Sequence, residues 1–314
     1  MQDICVVTGG AGFIGSHLVQ ALLANGKRVR ILDNFDTGQL SNLAHLQPAP
    51  EVIRGSVTDP KIVDEVLRDA DLVFHLAAMA SVAKSLEEPK LCHEICATGT
   101  LNVLEAARKC GVRRVVYAGS SSAYGLASDP SGQSEETPLK PLSPYAAAKL
   151  AGEHYLEAFT ASFGLETVRL RFFNIFGPRQ RADSPYSGVI ALFAAALSTG
   201  RIPMIHGDGL QTRDFTDVSN AVRALLLAAE TPGIAGRVYN VGTGRSVTLL
   251  ELIAALNNLL GTTIVPTHGP ARVGDVRHSL ARIDRIRKDL GYEPVATFED
   301  GLKRTLNWYR SGAS

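Results

Sequence analysis

Apolar positions in the first half of the chain follow two alternating rhythms. Short, mostly apolar segments at residues 4–8, 29–33, 52–54, 71–77, 114–118 and 167–171 read as strands, the run at 71–77 most strongly. Between them, residues 17–24, 92–110 and 144–163 carry apolar side chains at helical spacing. The punctuation agrees. Asn25-Gly26, Gly111 and Gly164 follow the helical stretches, where a left-handed residue ends a helix. Thr58-Asp59-Pro60 sets a capping oxygen before a proline, which reads as a helix start. Strands alternating with helices predict an α/β fold with a doubly wound parallel sheet covered on both faces. Beyond about residue 172 the rhythm loosens. Residues 188–199 are helical, 203–206 and 238–241 are short strands, and Thr248-Leu249-Leu250-Glu251 is a capping box opening a helix through Leu260. The expected organisation is a larger unit over residues 1–172, rejoined by a segment near 210–242, and a smaller mixed α/β lobe from 173–209 and 243–314.

At 314 residues the chain is long enough for two such units. Its 32 Lys and Arg against 31 Asp and Glu leave a net charge of +1. That balance argues against a nucleic-acid partner or an anionic membrane surface, so any phosphate must be held by a few placed groups. No apolar run approaches the roughly 18 residues of a membrane-spanning helix. The opening MQDICVVTGG enters a strand at once, without a charged and then apolar leader, and a cytoplasmic protein is expected. Four cysteines, Cys5, Cys92, Cys96 and Cys110, lack zinc-site spacing, so reduced thiols and no metal are expected.

Gly9, Gly12 and Gly15 lie between the first strand and the first helix with the spacing GxxGxxG. A tight strand-to-helix turn without Cβ atoms lets the backbone approach a pyrophosphate, and the helix N-terminus offers free N–H groups. Asp33 ends the second strand, where a carboxylate accepts both ribose hydroxyls of an adenosine and repels a 2′-phosphate. The first unit is therefore expected to be a Rossmann domain that prefers NAD to NADP.

Tyr145-Ala146-Ala147-Ala148-Lys149 opens a predicted helix, and residues four apart share a helix face. An ammonium beside a phenol, together with a nearby nicotinamide positive charge, favours the phenolate and gives a base usable near neutral pH. Ser120, at the end of the fifth strand, stands where ligands of such sheets lie.

These segments, taken together, resemble the extended short-chain dehydrogenase/reductases, and within them the NAD-dependent nucleotide-sugar epimerases. The resemblance rests on TGGAGFIGSHL at 8–18, LDNF at 32–35, HLAA at 75–78, AGSSSAYG at 118–125, YAAAK at 145–149 and RFFNIFGPRQ at 171–180. HGDGLQTRDFTDV at 206–218 and ARVGDVRHS at 271–279 extend it into the second lobe. The resemblance implies that NAD is held by Gly9, Gly12, Phe13, Ile14, Gly15, Asp33, Asn34, Ser56, Val57, Leu76, Ala77 and Ala78, with Phe172 near the nicotinamide. It implies Tyr145 as the base, Lys149 on the nicotinamide ribose and Ser120 on the reacting hydroxyl. A UDP-sugar would meet Ser81, Ser120, Ser121, Ser122, Tyr145, Val189, Ile205 and Ser279, and its diphosphate and ribose would meet Asn174, Arg213, Arg272 and Asp275. Two positions depart from the family's usual pattern: Ser56 stands where Asp is common, and Cys96 where Asn is common.

The chemistry implied is 4-epimerisation of a UDP-sugar through a transient 4-keto sugar. Dehydratases of this family follow position 120 with Asp-Glu, and decarboxylases tend to carry Glu two residues after it. Here Ser121 and Ser122 offer no carboxyl, which disfavours loss of water or CO₂. A UDP-glucuronate 4-epimerase stays open as an alternative. A non-catalytic NAD sensor would be expected to lack the Tyr or the Lys. The position four after the Asp of the GD motif, Ser279, lines the sugar's C2 side in the family, and a small residue there admits an N-acetyl group. The family also implies a homodimer joined through a four-helix bundle of residues 92–110 and 144–163. Among the remaining residues, His17 reads as a helix-surface residue, His75 as packing at the end of the fourth strand, and Trp308 as a core anchor of the C-terminal helix.

Overall fold

The computed structural model describes residues 4–126, 129–182, 188–271 and 276–311. Strands β1 (Ile4–Thr8), β2 (Arg28–Asp33), β3 (Glu51–Arg54), β4 (Ala70–His75), β5 (Arg114–Ser120) and β6 (Glu166–Phe172) alternate with helices. The helices are α1 (Phe13–Ala24), α2 (Pro60–Val66), α3 (Val82–Glu87), α4 (Pro89–His93), α5 (Gly99–Lys109) and α6 (Pro144–Phe163). Then come β7 (Ile175–Phe176), α7 (Val189–Ser198), β8 (Met204–His206), β9 (Thr212–Arg213), β10 (Thr216–Asp217) and α8 (Val218–Glu230). The chain closes with β11 (Arg237–Val241), β12 (Val247–Thr248), α9 (Leu249–Leu260), β13 (Thr267–Gly269), β14 (His278–Ser279), α10 (Asp284–Leu290) and α11 (Phe298–Arg310).

The main sheet has seven strands in the order β11-β6-β5-β4-β1-β2-β3. All neighbours in it are parallel. Chain order reverses between β1 and β4, and the crevice at the carboxyl ends of such strands is where an open α/β sheet binds ligand. The apolar character of the inner strands is explained by helices on both faces. One face packs Leu18 and Leu22 of α1 and Leu225 of α8 against Val7, Phe74 and Tyr239. The other packs Val103, Leu104 and Leu156 against Val6, Val73 and Tyr117. A third core, built on Phe176, Phe193, Phe215, Leu252 and Phe298, supports the second lobe. Each buried side chain of this kind contributes about 1.5–3 kcal/mol.

Local signals set the ends of the elements that carry the site. Ser143 caps α6 by accepting the Ala146 N–H at 3.1 Å, Pro144 follows it, and Gly164 at φ +70° ends the helix. Asp59 caps α2, and both halves of the Thr248–Glu251 capping box form.

Two expectations are corrected. Residues 92–110 are not one uniform α-helix: α4 ends at His93, and Glu94–Thr98 wind as a π-turn before α5. The Thr100 hydroxyl donates to the Cys96 carbonyl at 2.7 Å, inside the ladder at this turn. Trp308 does not anchor the core. It is half-buried, edge-on to Tyr309 at 4.9 Å, while Phe298, Leu302 and Leu306 supply the buried face of α11. Among the described residues, no helix is long and apolar enough to cross a membrane, and no three His, Cys, Asp or Glu side chains are placed to hold a metal.

Candidate active site

The turn from β1 to α1 closes tightly against β4. Gly9 sits at φ +71°, and a Cβ there would lie 2.9 Å from the Ala77 nitrogen. A Cβ at Gly15 would come within 2.1 Å of the Gly9 carbonyl oxygen, so neither position admits a side chain. The residue capping α1 is Gly12, which has no side chain to satisfy the first-turn N–H groups at Phe13 and Ile14. Those donors and the helix dipole suit a diphosphate.

Asp33 is buried and fixed by two backbone donors, Ala11 N–H to Oδ2 at 2.9 Å and Phe35 N–H to Oδ1 at 2.8 Å. Gly9, Asp33, Asn34, Val57, Ala77 and Ala78 line one cleft, joined by Asp36, Thr37, Met79 and Ile95, which the sequence did not flag. A dinucleotide fits this donor set: a carboxylate for ribose hydroxyls, free amides for phosphate and an apolar wall for the adenine. Leu76 follows β4 and packs on the core under the cradle. Ser56 turns inward on its own loop, its Oγ 2.8 Å from Thr58 Oγ1 and accepting the Thr58 N–H.

Ser120 ends β5 in register with Phe172 of β6. Its Oγ accepts both the Ser122 N–H at 3.2 Å and the Ser122 hydroxyl at 2.9 Å, which leaves its own proton to donate. Burial pushes the Tyr145 phenol up to about 12, and its hydrogen bond with Ser120 pulls the other way. The expected lowering joins the Lys149 ammonium to the charge of a bound nicotinamide, and the chain by itself shows the burial side of that balance. The Lys149 ammonium lies 4.1 Å from the centroid of the Tyr117 ring, and burial lowers its own pKa.

Supports absent from the sequence reading surround this pair. The Tyr145 N–H, in the first turn of α6, donates to Ser85 Oγ at 3.1 Å, and Ser85 donates to the Val82 carbonyl at 2.6 Å. Glu153, on the same face as Tyr145 and Lys149, accepts three hydrogen bonds from Arg171 at 2.7–3.1 Å. Arg171 also donates to the Tyr124 hydroxyl, which donates to Asn240 Oδ1 at 2.6 Å. The signal for Glu153 was its place four residues beyond Lys149. Nothing in the sequence pointed to Ser85.

On the second lobe the structure brings Asn174, Arg213 and Ser279 together. Asn174, at φ +37°, donates to Ser279 Oγ at 3.4 Å, and β9 pairs Arg213 with Ser279 of β14. The Arg213 guanidinium donates to the Val276 and Thr212 carbonyls. Val189 opens α7, half-buried, and Ser81 caps α3 by accepting the Lys84 N–H. Ile205 is corrected: its side chain is fully buried in the second lobe's core, so only its backbone can face a ligand. Arg272 and Asp275 lie outside the described residues.

His75 is buried between Thr8 Oγ1 at 2.7 Å and Thr100 Oγ1 at 3.0 Å, and burial pushes its pKa down to about 3, so it stays neutral. His17 is not a free surface residue. Its Nε2 meets the Pro178 carbonyl at 2.9 Å, and burial lowers its pKa to about 4.

A glycine cradle at the switch point of a seven-stranded parallel sheet, with Ser, Tyr and Lys gathered beside it, defines an enzyme of the extended short-chain dehydrogenase/reductase class. The chain belongs to the NAD dependent epimerase/dehydratase family, which matches residues 5–242. A UDP-glucose 4-epimerase of Mycolicibacterium smegmatis is 37% identical over 311 residues, 98% of either chain. The structure of a UDP-N-acetylglucosamine 4-epimerase from Methanobrevibacter ruminantium, in complex with UDP-N-acetylmuramic acid, is 38% identical with a TM-score of 0.94, covering 99% of this chain and 100% of that one. A Thermus thermophilus UDP-glucose 4-epimerase in complex with NAD is 36% identical with a TM-score of 0.89, covering 98% of this chain and 99% of that one. A dTDP-glucose 4,6-dehydratase of Streptomyces niveus is also 36% identical, over 97% of this chain and 92% of its own. Identity alone therefore does not separate the chemistries. The chain is an NAD-dependent enzyme of the nucleotide-sugar epimerase/dehydratase family.

Proposed function

We propose that the protein is a UDP-sugar 4-epimerase that interconverts UDP-N-acetylglucosamine with UDP-N-acetylgalactosamine, and UDP-glucose with UDP-galactose. The observation that carries this is the turn at residues 120–122. Ser122 donates to Ser120, and the turn presents hydroxyls but no carboxylate to the reacting sugar. Elimination of water requires a carboxyl acid and base at this place, whereas epimerisation requires only a reversible proton transfer at O4. Tyr145 takes the proton of the 4-hydroxyl and returns it, and Ser120 orients that hydroxyl while relayed by Ser122. NAD, when bound, supplies a reversible hydride acceptor and a positive charge that favours the phenolate. Lys149 adds a fixed ammonium one helical turn away. Asn174, Arg272 and Asp275 of the smaller lobe, with Arg213 from the segment near 210–242, hold the diphosphate and ribose. Purified protein given a panel of UDP-sugars without added NAD is expected to yield the 4-epimers. Release of CO₂ or formation of a 4-keto-6-deoxy sugar would overturn the reading.

The sugar's C2 side is assigned to Ser279, whose small side chain faces Asn174. A tyrosine ring there fills the space an N-acetyl group needs, and overfilling a packed site costs about 1–3 kcal/mol or more. Ser279→Tyr is expected to cut turnover of the N-acetylated pair at least tenfold and to spare the plain hexoses. An equal loss on both pairs, measured by product chromatography, would remove Ser279 from this role.

A homodimer is the third part of the proposal. Leu91 of α4 and Tyr155 of α6 are 38% and 40% exposed on adjacent helices, a face that suits a four-helix bundle with a second copy. Light scattering at micromolar concentration is expected to give twice the 33.5 kDa chain mass, and a monomer mass would refute it.

A further inference from the structure

Lys149 is 3% exposed, and among the described residues its ammonium has no hydrogen-bonded carboxylate or carbonyl. What faces it is an aromatic ring. Tyr117, fully buried on β5, places its ring centroid 4.1 Å from Lys149 Nζ. A desolvated ammonium is attracted to the negative face of such a ring. The same tyrosine also holds the lysine's backbone, since its hydroxyl donates to the Lys149 carbonyl at 3.1 Å. It is wedged there: a Cβ at Gly152 would come within 2.6 Å of that hydroxyl. His75 also packs on the Tyr117 ring, tilted, at 5.6 Å between centroids.

The other titratable groups around Lys149 do not replace this seat. From β4 comes His75, held neutral by burial. From α4 and the π-turn come Cys92 and Cys96, and burial pushes the Cys92 thiol up to about 12. From α6 come Tyr145 and Glu153, and the Glu153 carboxylate is taken by Arg171 of β6. Burial works against the ammonium, the nearby Cys96, Glu153 and Cys92 counter that effect through charge, and the Tyr117 ring face lies against it at 4.1 Å.

We propose that Tyr117 is a positioning residue for the reaction: its ring seats the Lys149 ammonium and its hydroxyl fixes the Lys149 backbone, so that the lysine stays protonated one turn from Tyr145. This rests on the reading of Lys149 as the residue that steadies Tyr145 and the nicotinamide ribose. Removing the ring removes an interaction that favours the charged form, so the lysine loses its proton at lower pH.

The test uses the purified enzyme with NAD and compares Tyr117→Phe, Tyr117→Leu and Lys149→Met. Tyr117→Leu is expected to lower kcat about tenfold with KM for the UDP-sugar within about twofold, and to move the alkaline limb of the pH profile down by about one unit, given the strength of a buried cation–π contact. Tyr117→Phe keeps the ring and is expected to recover most of kcat and to restore the limb. A merely structural role would lower thermal stability without moving the limb. If Tyr117→Leu does not fold, Tyr117→Met fills more of the same volume without an aromatic face and is read in the same way. An alkaline limb unchanged in the Leu or Met variant, or a Phe variant as impaired as they are, overturns the proposal. The dissociation constant of NAD, measured against pH, reports the same limb without turnover. Lys149→Met separates the two levels: if it keeps full turnover, the role given to Lys149 fails, while the NAD titration still decides whether Tyr117 seats it.

Discussion

Replacing Tyr145 by Phe is expected to lower turnover of a UDP-sugar by about 10²–10⁴-fold, the usual contribution of a placed acid–base group. The fold and NAD content are expected to survive, because the lost hydroxyl supports no structural contact beyond Ser120 among the described residues. Its ring stays beside Ala148, Met79 and the two thiols of α4 and the π-turn. The check is product formation beside the NAD released on denaturation, per mole of chain. A variant within tenfold of the parent would take Tyr145 out of the proton transfer. The size of the effect follows from the surroundings: Tyr145 is the ionisable partner of Ser120, whose oxygen already accepts two bonds from Ser122.

The second large effect is expected at a distance from the chemistry. Glu153 and Arg171 are 1% and 5% exposed in their side chains, with their closest N···O contact at 2.7 Å. Glu153→Ala leaves the guanidinium buried with only the Tyr124 hydroxyl, and breaking a buried pair in this way costs about 3–5 kcal/mol. A urea denaturation midpoint is expected to fall accordingly. Removing both charges together, as Glu153→Leu with Arg171→Met, is expected to recover most of that loss, since an apolar pair carries no desolvation penalty. A single variant that loses less than about 1 kcal/mol would show that water reaches the guanidinium. The pair ties α6 to β6 and, through Tyr124, to the turn that carries Ser120, so the single variant is also expected to lose turnover.

Which parts of this were legible in the sequence follows from where the information lies. The inner strands β1, β4 and β5 were visible because burial on both faces leaves them mostly apolar, and helix α6 was visible to the residue because Ser143-Pro144 and Gly164 punctuate it. The glycine cradle and the Tyr145–Lys149 pair were visible as spacings. Helix α8 was passed over as part of a return to the sheet, because the strand before it has only two residues and carries too little pattern to frame it. The π-turn was invisible, since one extra residue in a helix leaves the apolar periodicity nearly unchanged. Ile205 was expected beside the sugar, yet a strand alternates faces, and its side chain packs in the core. The proton state of Tyr145 depends on desolvation, which spacing does not encode: YxxxK tells that the ammonium is near, and only the packing tells that it rests on Tyr117.

The hydrogen bond from the Tyr145 amide to Ser85 has a consequence for the molecule's fluctuations. First-turn amides of a helix have no acceptor within it and ordinarily trade their protons with solvent fastest. This one is sealed by a buried hydroxyl from α3, a helix of only six residues. Deuterium reaches it only when that hydrogen bond to α3 breaks. Slow exchange of the Tyr145 amide, measured by hydrogen–deuterium exchange, is the expected sign that the α3–α6 seam holds this first turn in place.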